Sequence, residues 1–280
     1  MILALAFPQA NNTVALFSQS TDQTSNPALA AAWDVLNKGI DDGDAAHRRT
    51  AIAAIGTIGS SKEAVQMVVR GLSDKDTQVR ETAARTLGEM GAHDAIRDLR
   101  SCLDDSPEVS FTAAKALWDL GDADSSREVF EAVIAGERKD RPGKLHEALR
   151  DAKKRLSPGR LALMGVNETS GTLLGPASIV VVATEEAFKE TKKDPAAAGR
   201  SIAAQVLSKD PDPYALTLLE WALGDSNWAV RVAVAKALGD RGNEGTIEKL
   251  RPLLSDGRHA VRYMAAASIV KLSQKRAGSA

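Results

Sequence analysis

The chain of 280 residues has a single cysteine, Cys102, which excludes a disulfide within the chain and any metal site built from several thiolates. Aromatic residues are scarce, at 4%, so a core must be filled mainly by alanine, leucine, valine and isoleucine. No run of about 18 apolar residues occurs, which excludes a membrane-crossing helix. A net field is missing too: 36 Lys+Arg face 37 Asp+Glu, a formal charge of −1. The global balance therefore points neither to nucleic acid nor to an anionic surface. What is present is a hydrophobic content of 44%, rich in the Ala and Leu that favour packed helices.

The start, MILALAFPQANNT, is apolar and then polar, and Ala4-Leu5-Ala6 has the small-x-small spacing of a signal cleavage site. No basic residue precedes the apolar run, which is short for a secretion signal. The stretch SQSTDQTSNP (18–27) is polar and suits a flexible segment. Residues 1–27 are thus expected to be a leader. The protein would be exported or periplasmic if it is the remnant of a signal peptide, and otherwise cytoplasmic.

From there the chain repeats itself. DSNWAVRVAVAKALGDRGN (225–243) returns as DKDTQVRETAARTLGEMG (74–91), DSPEVSFTAAKALWDLG (105–121) and DGRHAVRYMAAASIVKLS (256–273). Fainter copies are DAAHRRTAIAAIGTIG (44–59) and DPAAAGRSIAAQVLS (194–208). Arg48, Arg80, Arg200, Arg231 and Arg262 fall in one column, with Ser110 in that place once. Arg48 to Arg80 is 32 residues, and Arg231 to Arg262 is 31. A fixed period over most of a chain is the mark of stacked units that cannot bury their apolar faces alone.

Each copy reads as a helix. At 100° per residue, Val230, Ala233, Val234, Ala237 and Leu238 share one face, predicted to be core. A shorter helix precedes it: AVQMVVRGL (64–72), AIRDLRSCL (95–103), ALTLLEWAL (215–223) and TIEKLRPLL (246–254). Ser106-Pro107, Asp194-Pro195 and Asp212-Pro213 predict capped starts. Gly59, Gly91, Gly121 and Gly242 predict left-handed stops. The expected fold is all-α, an α-α superhelix of about seven helical pairs. Units one to four occupy 28–156, a Gly-rich apolar insertion or hinge 157–175, units five to seven 176–274, and a tail 275–280. Either one solenoid with an interruption or two sub-stacks hinged at the insertion satisfies this pattern. The two ends differ from the internal units, as caps do.

This pattern resembles the HEAT-like repeats named for phycobilisome lyases, over about residues 26–274. The resemblance implies first helices on a convex side and second helices on a concave side. It also implies that the Asp and Arg of the D-x-x-x-V-R pattern link adjacent units, a ladder of Arg48, Arg80, Arg200, Asp225, Arg231, Asp256 and Arg262. The guanidinium fork suits a bridge between a carboxylate and backbone carbonyls.

A chemical site is not legible. His47, His93, His146 and His259 lie in different units, without metal-ligand spacing along the chain. In HEALR (146–150) Arg150 stands where a zincin needs its second His. Only one His-Glu pair, His146-Glu147, is present, against the several of the HEAT-like iron hydroxylases. GVNETSGT (165–172) lacks the lysine of a phosphate loop, and there is no GxSxG elbow. Cys102 reads as a small buried residue. The expectation is a non-enzyme with no catalytic residue, cofactor or metal.

A partner surface is expected on the outward side of the second helices. There the column of Val232 holds Glu81, Phe111 and Tyr263, and the column of Lys236 holds Arg85 and Lys115. Trp228, at the start of its helix, completes the candidate set. Apolar and basic groups together suit a protein or peptide partner of unspecified identity. Nucleic acid on a concave basic stripe is the second reading, which the balanced charge opposes. A lyase or chaperone for a bound pigment or cofactor is a third, carried only by the name of the repeat family. The sequence does not specify an oligomeric state.

Overall fold

The computed structural model describes residues 26–135, 194 and 196–277, and among these every regular element is a helix. Unit one pairs α1 (Pro27–Ile40) with α2 (Ala45–Gly56). Unit two pairs α3 (Lys62–Gly71) with α4 (Thr77–Glu89). Unit three breaks its first helix into a 3₁₀ turn, α5 (Ile96–Ser101) and a second 3₁₀ turn before α6 (Pro107–Asp119). α7 (Ala123–Ala135) opens unit four, and α8 (Ala196–Leu207) closes unit five. Unit six pairs α9 (Pro213–Trp221) with α10 (Trp228–Arg241). Unit seven pairs α11 (Glu244–Leu250) and a 3₁₀ turn with α12 (His259–Ala277). Residues 1–25 of the leader, the expected second helix of unit four, the 157–175 insertion and the expected first helix of unit five lie outside the described residues.

Helix boundaries follow local chemistry. Asn26, Asp44, Asp76, Asp212 and Asn227 each offer a side-chain oxygen to a first-turn backbone N–H, which removes an orphan donor. Asn26 and Pro27 thus begin a helix rather than end a leader. Ser106 does not cap α6 with its side chain, although Pro107 stands at the first helical position as expected. Asp105 Oδ1 instead accepts from the Ser106 backbone N–H, at 2.5 Å. Gly59, Gly91 and Gly121 end their units at positive φ, a conformation that costs a side chain but not glycine. Gly242 corrects the fourth of these expectations: its φ is −60°. Glycine is required there by contact, because a Cβ would collide with the Leu238 carbonyl and lie 2.8 Å from Thr246 Oγ1.

The units stack, with the second helices forming one layer and the first helices the other. Side by side in the second-helix layer run α8, α10, α12, α2, α4 and α6. The last unit therefore packs on the first, and the spatial order is five, six, seven, one, two, three. Ala51, Ile52 and Ile55 of α2 and Met264, Ala266 and Ile269 of α12 are fully or almost fully buried in one continuous core. At this junction Gln274 Nε2 donates to Ser61 Oγ at 3.0 Å, and Thr57 Oγ1 lies 3.9 Å from Met264 Sδ. Tyr263 presses on α1 where Gly39 leaves room; a Cβ at Gly39 would sit 2.6 Å from the tyrosine ring. The expectation that units one and seven cap the stack is corrected: they pack on each other inside it. Unit seven buries apolar surface on both sides because α12 carries a second apolar flank, Tyr263 and Met264, that a terminal helix would have to leave wet.

Candidate functional site

The Asp/Arg column forms a ladder between units. Arg48 donates through Nε and Nη2 to both carboxylate oxygens of Asp74, each at 2.7 Å. Arg80 reaches Asp105 in the same way, at 2.7 Å twice. Arg200 reaches Asp225 at 2.8 and 3.1 Å, and Arg231 reaches Asp256 at 2.9 and 3.0 Å. The remaining Nη1 of Arg48, Arg80 and Arg231 donates to the carbonyl six residues back in its own unit: Asp42, Asp74 and Asp225. One guanidinium thus ties its own inter-helix turn to the next unit's turn, a planar fork on a planar carboxylate. The Arg80 hydrogen bond holds the Asp105 carboxyl below its usual range. Where Ser110 replaces the arginine, its hydroxyl donates to the Leu103 carbonyl at 2.7 Å, and no guanidinium leaves that place.

The candidate partner-binding residues divide. Val232 and Tyr263, expected to face solvent, are 0% and 3% exposed. A helical wheel assumes one buried face, whereas these helices are flanked by a neighbour on each side, α8 and α12 for α10, α10 and α2 for α12. Trp228 is buried as well, with the Arg258 guanidinium 5.9 Å from its ring. These three are therefore not part of an open surface. Glu81 and Arg85 are half-buried, and Phe111 and Lys115 are exposed. The cations are largely engaged: Lys115 pairs with Asp119 at 3.0 Å, and Lys236 pairs with Asp240 at 2.5 Å. Lys271 of the next unit also pairs with Asp240, at 2.7 Å. Burial alone would raise the Asp240 carboxyl, but the fields of Lys236 and Lys271 bring it below its usual value.

Around Phe111 the fold builds a patch that the columns did not reveal. The Phe130 ring meets Phe111 edge-on at 5.7 Å and Trp118 at 6.0 Å, joining α6 to α7. Phe111 is 36% exposed and Trp118 53%. On α9, Tyr214 and Trp221 are also exposed, two turns apart on one side of the helix. Trp118, Phe130, Tyr214 and Trp221 escaped the column comparison because they lie outside the two positions it followed. Spacing 111–118 and 214–221, seven residues apart, was the available signal.

The fold also gathers two of the histidines. His47 of unit one and His259 of unit seven stack at 3.7 Å between ring centroids, with 25° between planes. His47 Nδ1 lies 3.2 Å from Asp42 Oδ1, and His259 Nδ1 accepts from Arg262 Nη2 at 2.6 Å. The Tyr263 hydroxyl stands 3.4 Å from the same nitrogen. Burial, Arg262 and His47 push the His259 imidazole below its ordinary value, while burial pushes the Tyr263 phenol up to about 12. The backbone N–H of Asp44 holds the Asp42 carboxyl low. Separation in sequence hid this group, since the two histidines meet only where the last unit packs on the first. Among the described residues Cys102 is buried, as expected, and His93 is exposed and bonded to the Gly91 carbonyl.

Helical pairs stitched by such a ladder define an α-solenoid of tandem repeats. The family model of HEAT repeats matches residues 34–118 and 184–271, well over half of the chain, and the protein belongs to the HEAT-repeat family. No curated protein matches the chain by sequence. Among solved structures it is similar to the complex of CpcE and CpcF of phycocyanin lyase from Nostoc sp. PCC7120. That match has 18% identity and a TM-score of 0.33, over 90% of this chain and 97% of the other. It is also similar to an engineered protein, at 16% identity and a TM-score of 0.27, over 89% of this chain and 97% of that one.

Proposed function

We propose that this HEAT-repeat protein is a non-enzymatic scaffold that binds another protein or a peptide, with Phe111, Trp118 and Phe130 as the anchor of the contact. The observation that carries the reading is the ring cluster at α6 and α7, in which the exposed Phe111 and Trp118 both pack on the half-buried Phe130, in a chain with few aromatics. Large rings bury much area for little lost rotamer freedom, and they dominate the energy of protein contacts. HEAT repeats support an interaction role, and no described helix is long and apolar enough to cross a membrane. The non-enzymatic part rests on the sequence, which carries none of the nucleophile, phosphate-loop or zincin motifs sought in it.

A nucleic-acid reading is weaker, because Lys115 and Lys236 spend their charge on Asp119 and Asp240. Affinity capture followed by crosslinking tests the proposal. The double variant Phe111→Glu/Trp118→Glu should lose partner capture at least tenfold, while Tyr214→Glu/Trp221→Glu, on the other exposed aromatic pair, should retain it. Equal capture by wild type and the first variant would sink the reading.

A further inference from the structure

At four junctions between units a guanidinium sits on the carboxylate of the next unit's turn. Two described junctions lack that rung: the one after Ser110, and the one where unit seven meets unit one, which is built differently again. Asp42 is the equivalent of Asp74, Asp225 and Asp256, since each lends its carbonyl to the arginine six residues on: Arg48, Arg80, Arg231 and Arg262. The arginine due to reach Asp42 is Arg262, but its Nη2 donates to His259 Nδ1 instead. Asp42 Oδ1 is met by the Asp44 backbone N–H at 2.9 Å and by His47.

His47 is itself a departure. It directly precedes the ladder arginine, where Val79, Val230 and Val261 stand in other units, all buried. His259 occupies the place of Trp228, three residues before the arginine. That column is variable, holding Thr77 and Ala197 in other units, and the two histidines fall on the two faces that meet at this junction. One donor atom from each of Asp42, His47 and His259 lies within 4.8 Å of the other two, and all three residues are partly buried.

We infer that Asp42, His47 and His259 form a binding site for a divalent transition-metal ion of the zinc class, which clasps the last unit to the first. Two imidazoles and a carboxylate are the mixed N/O set such ions take, with a position left for water. Bonds of about 2.0–2.1 Å at tetrahedral angles need donors roughly 3.3 Å apart with converging lone pairs, so the stacked imidazoles must turn out of their near-parallel arrangement to close on the ion. The ion supplies against Asp42 the positive charge that a guanidinium supplies elsewhere. Arg262 competes with the ion, since its N–H occupies the lone pair of His259 Nδ1.

The test is titration of the tag-free full chain with Zn²⁺ by calorimetry and with Co²⁺ by absorption, together with thermal unfolding. Wild type should bind one ion, show the visible bands of four-coordinate Co²⁺, and melt at higher temperature with metal than with chelator. His47→Val, which restores the residue of the other units and so should fold, and His259→Gln should each weaken binding at least tenfold. Arg262→Met should tighten it, and the exposed His93→Gln should leave it unchanged. Absence of saturable binding by wild type up to millimolar Zn²⁺ overturns the inference, as does binding that survives both His47→Val and His259→Gln.

Discussion

Trp228 and His259 stand at the same place in consecutive units, and both fill the crevice where one turn meets the next. Trp228 does it by area: it is buried under Arg258, and its indole N–H is buried without a protein partner. Trp228→Ala should therefore cost about 3–5 kcal/mol in urea unfolding. Trp228→Phe keeps most of the area and removes an unpaired donor, so its cost should stay below about 1 kcal/mol. His259 does it as a neutral ring stacked on His47, its Nδ1 accepting from Arg262. Its folded-state pKa is depressed below 6.5, so as pH falls the unfolded chain takes up the proton first. Stability should accordingly drop as pH falls through about 6.5 and go on dropping until the folded pKa is passed. The ladder carboxylates Asp74, Asp105, Asp225 and Asp256 are lowered below 3.8, so their contribution persists until much lower pH. Denaturant midpoints in chelator between pH 7.5 and 5 should fall for wild type and fall less for His259→Gln. Parallel curves would rule out this role for the histidine.

Between elements, the rung is the repeated unit of specificity. Arg80 and Asp105 are mostly shielded from solvent and share two short hydrogen bonds, so Arg80→Ala leaves a carboxylate stranded in the inter-unit turn. The loss should be about 1.5–3 kcal/mol, the range for hydrogen bonds to charged groups. Lys38→Ala, which breaks the exposed pair with Asp34 along α1, should cost no more than about 0.5 kcal/mol. Calorimetric unfolding of the two variants checks the contrast. The arginine column was readable in the sequence because every rung uses the same register of an almost fixed period. The burial of Val232 and Tyr263 was not, because a wheel drawn for one helix knows nothing of the second neighbour that covers its flank. Phe111 stays exposed at an equivalent position because α6 has α4 on one side and α7, with Phe130, at its ring edge.

For the molecule as a whole, the order of units in space is not their order in the chain. α7 and α8 lie toward opposite ends of the stack, while the two terminal units meet in its middle. With Cys102 buried, cysteines placed at Ser61 and Gln274 can be joined selectively by a short bis-maleimide. The expected product is an internally linked monomer on a denaturing gel. A product linked only between chains would place unit seven on unit one of another copy. Period, helix pairing, the cap at Asp212 and the ladder arginines were determined by the sequence itself, because each depends on residues within one unit or at the same step in the next. Tertiary structure alone decided which units are neighbours, which flanks are covered, and that Asp42 and His47 meet His259. Those outcomes depend on apolar faces finding each other across more than two hundred residues, and the period is the same whichever unit comes next.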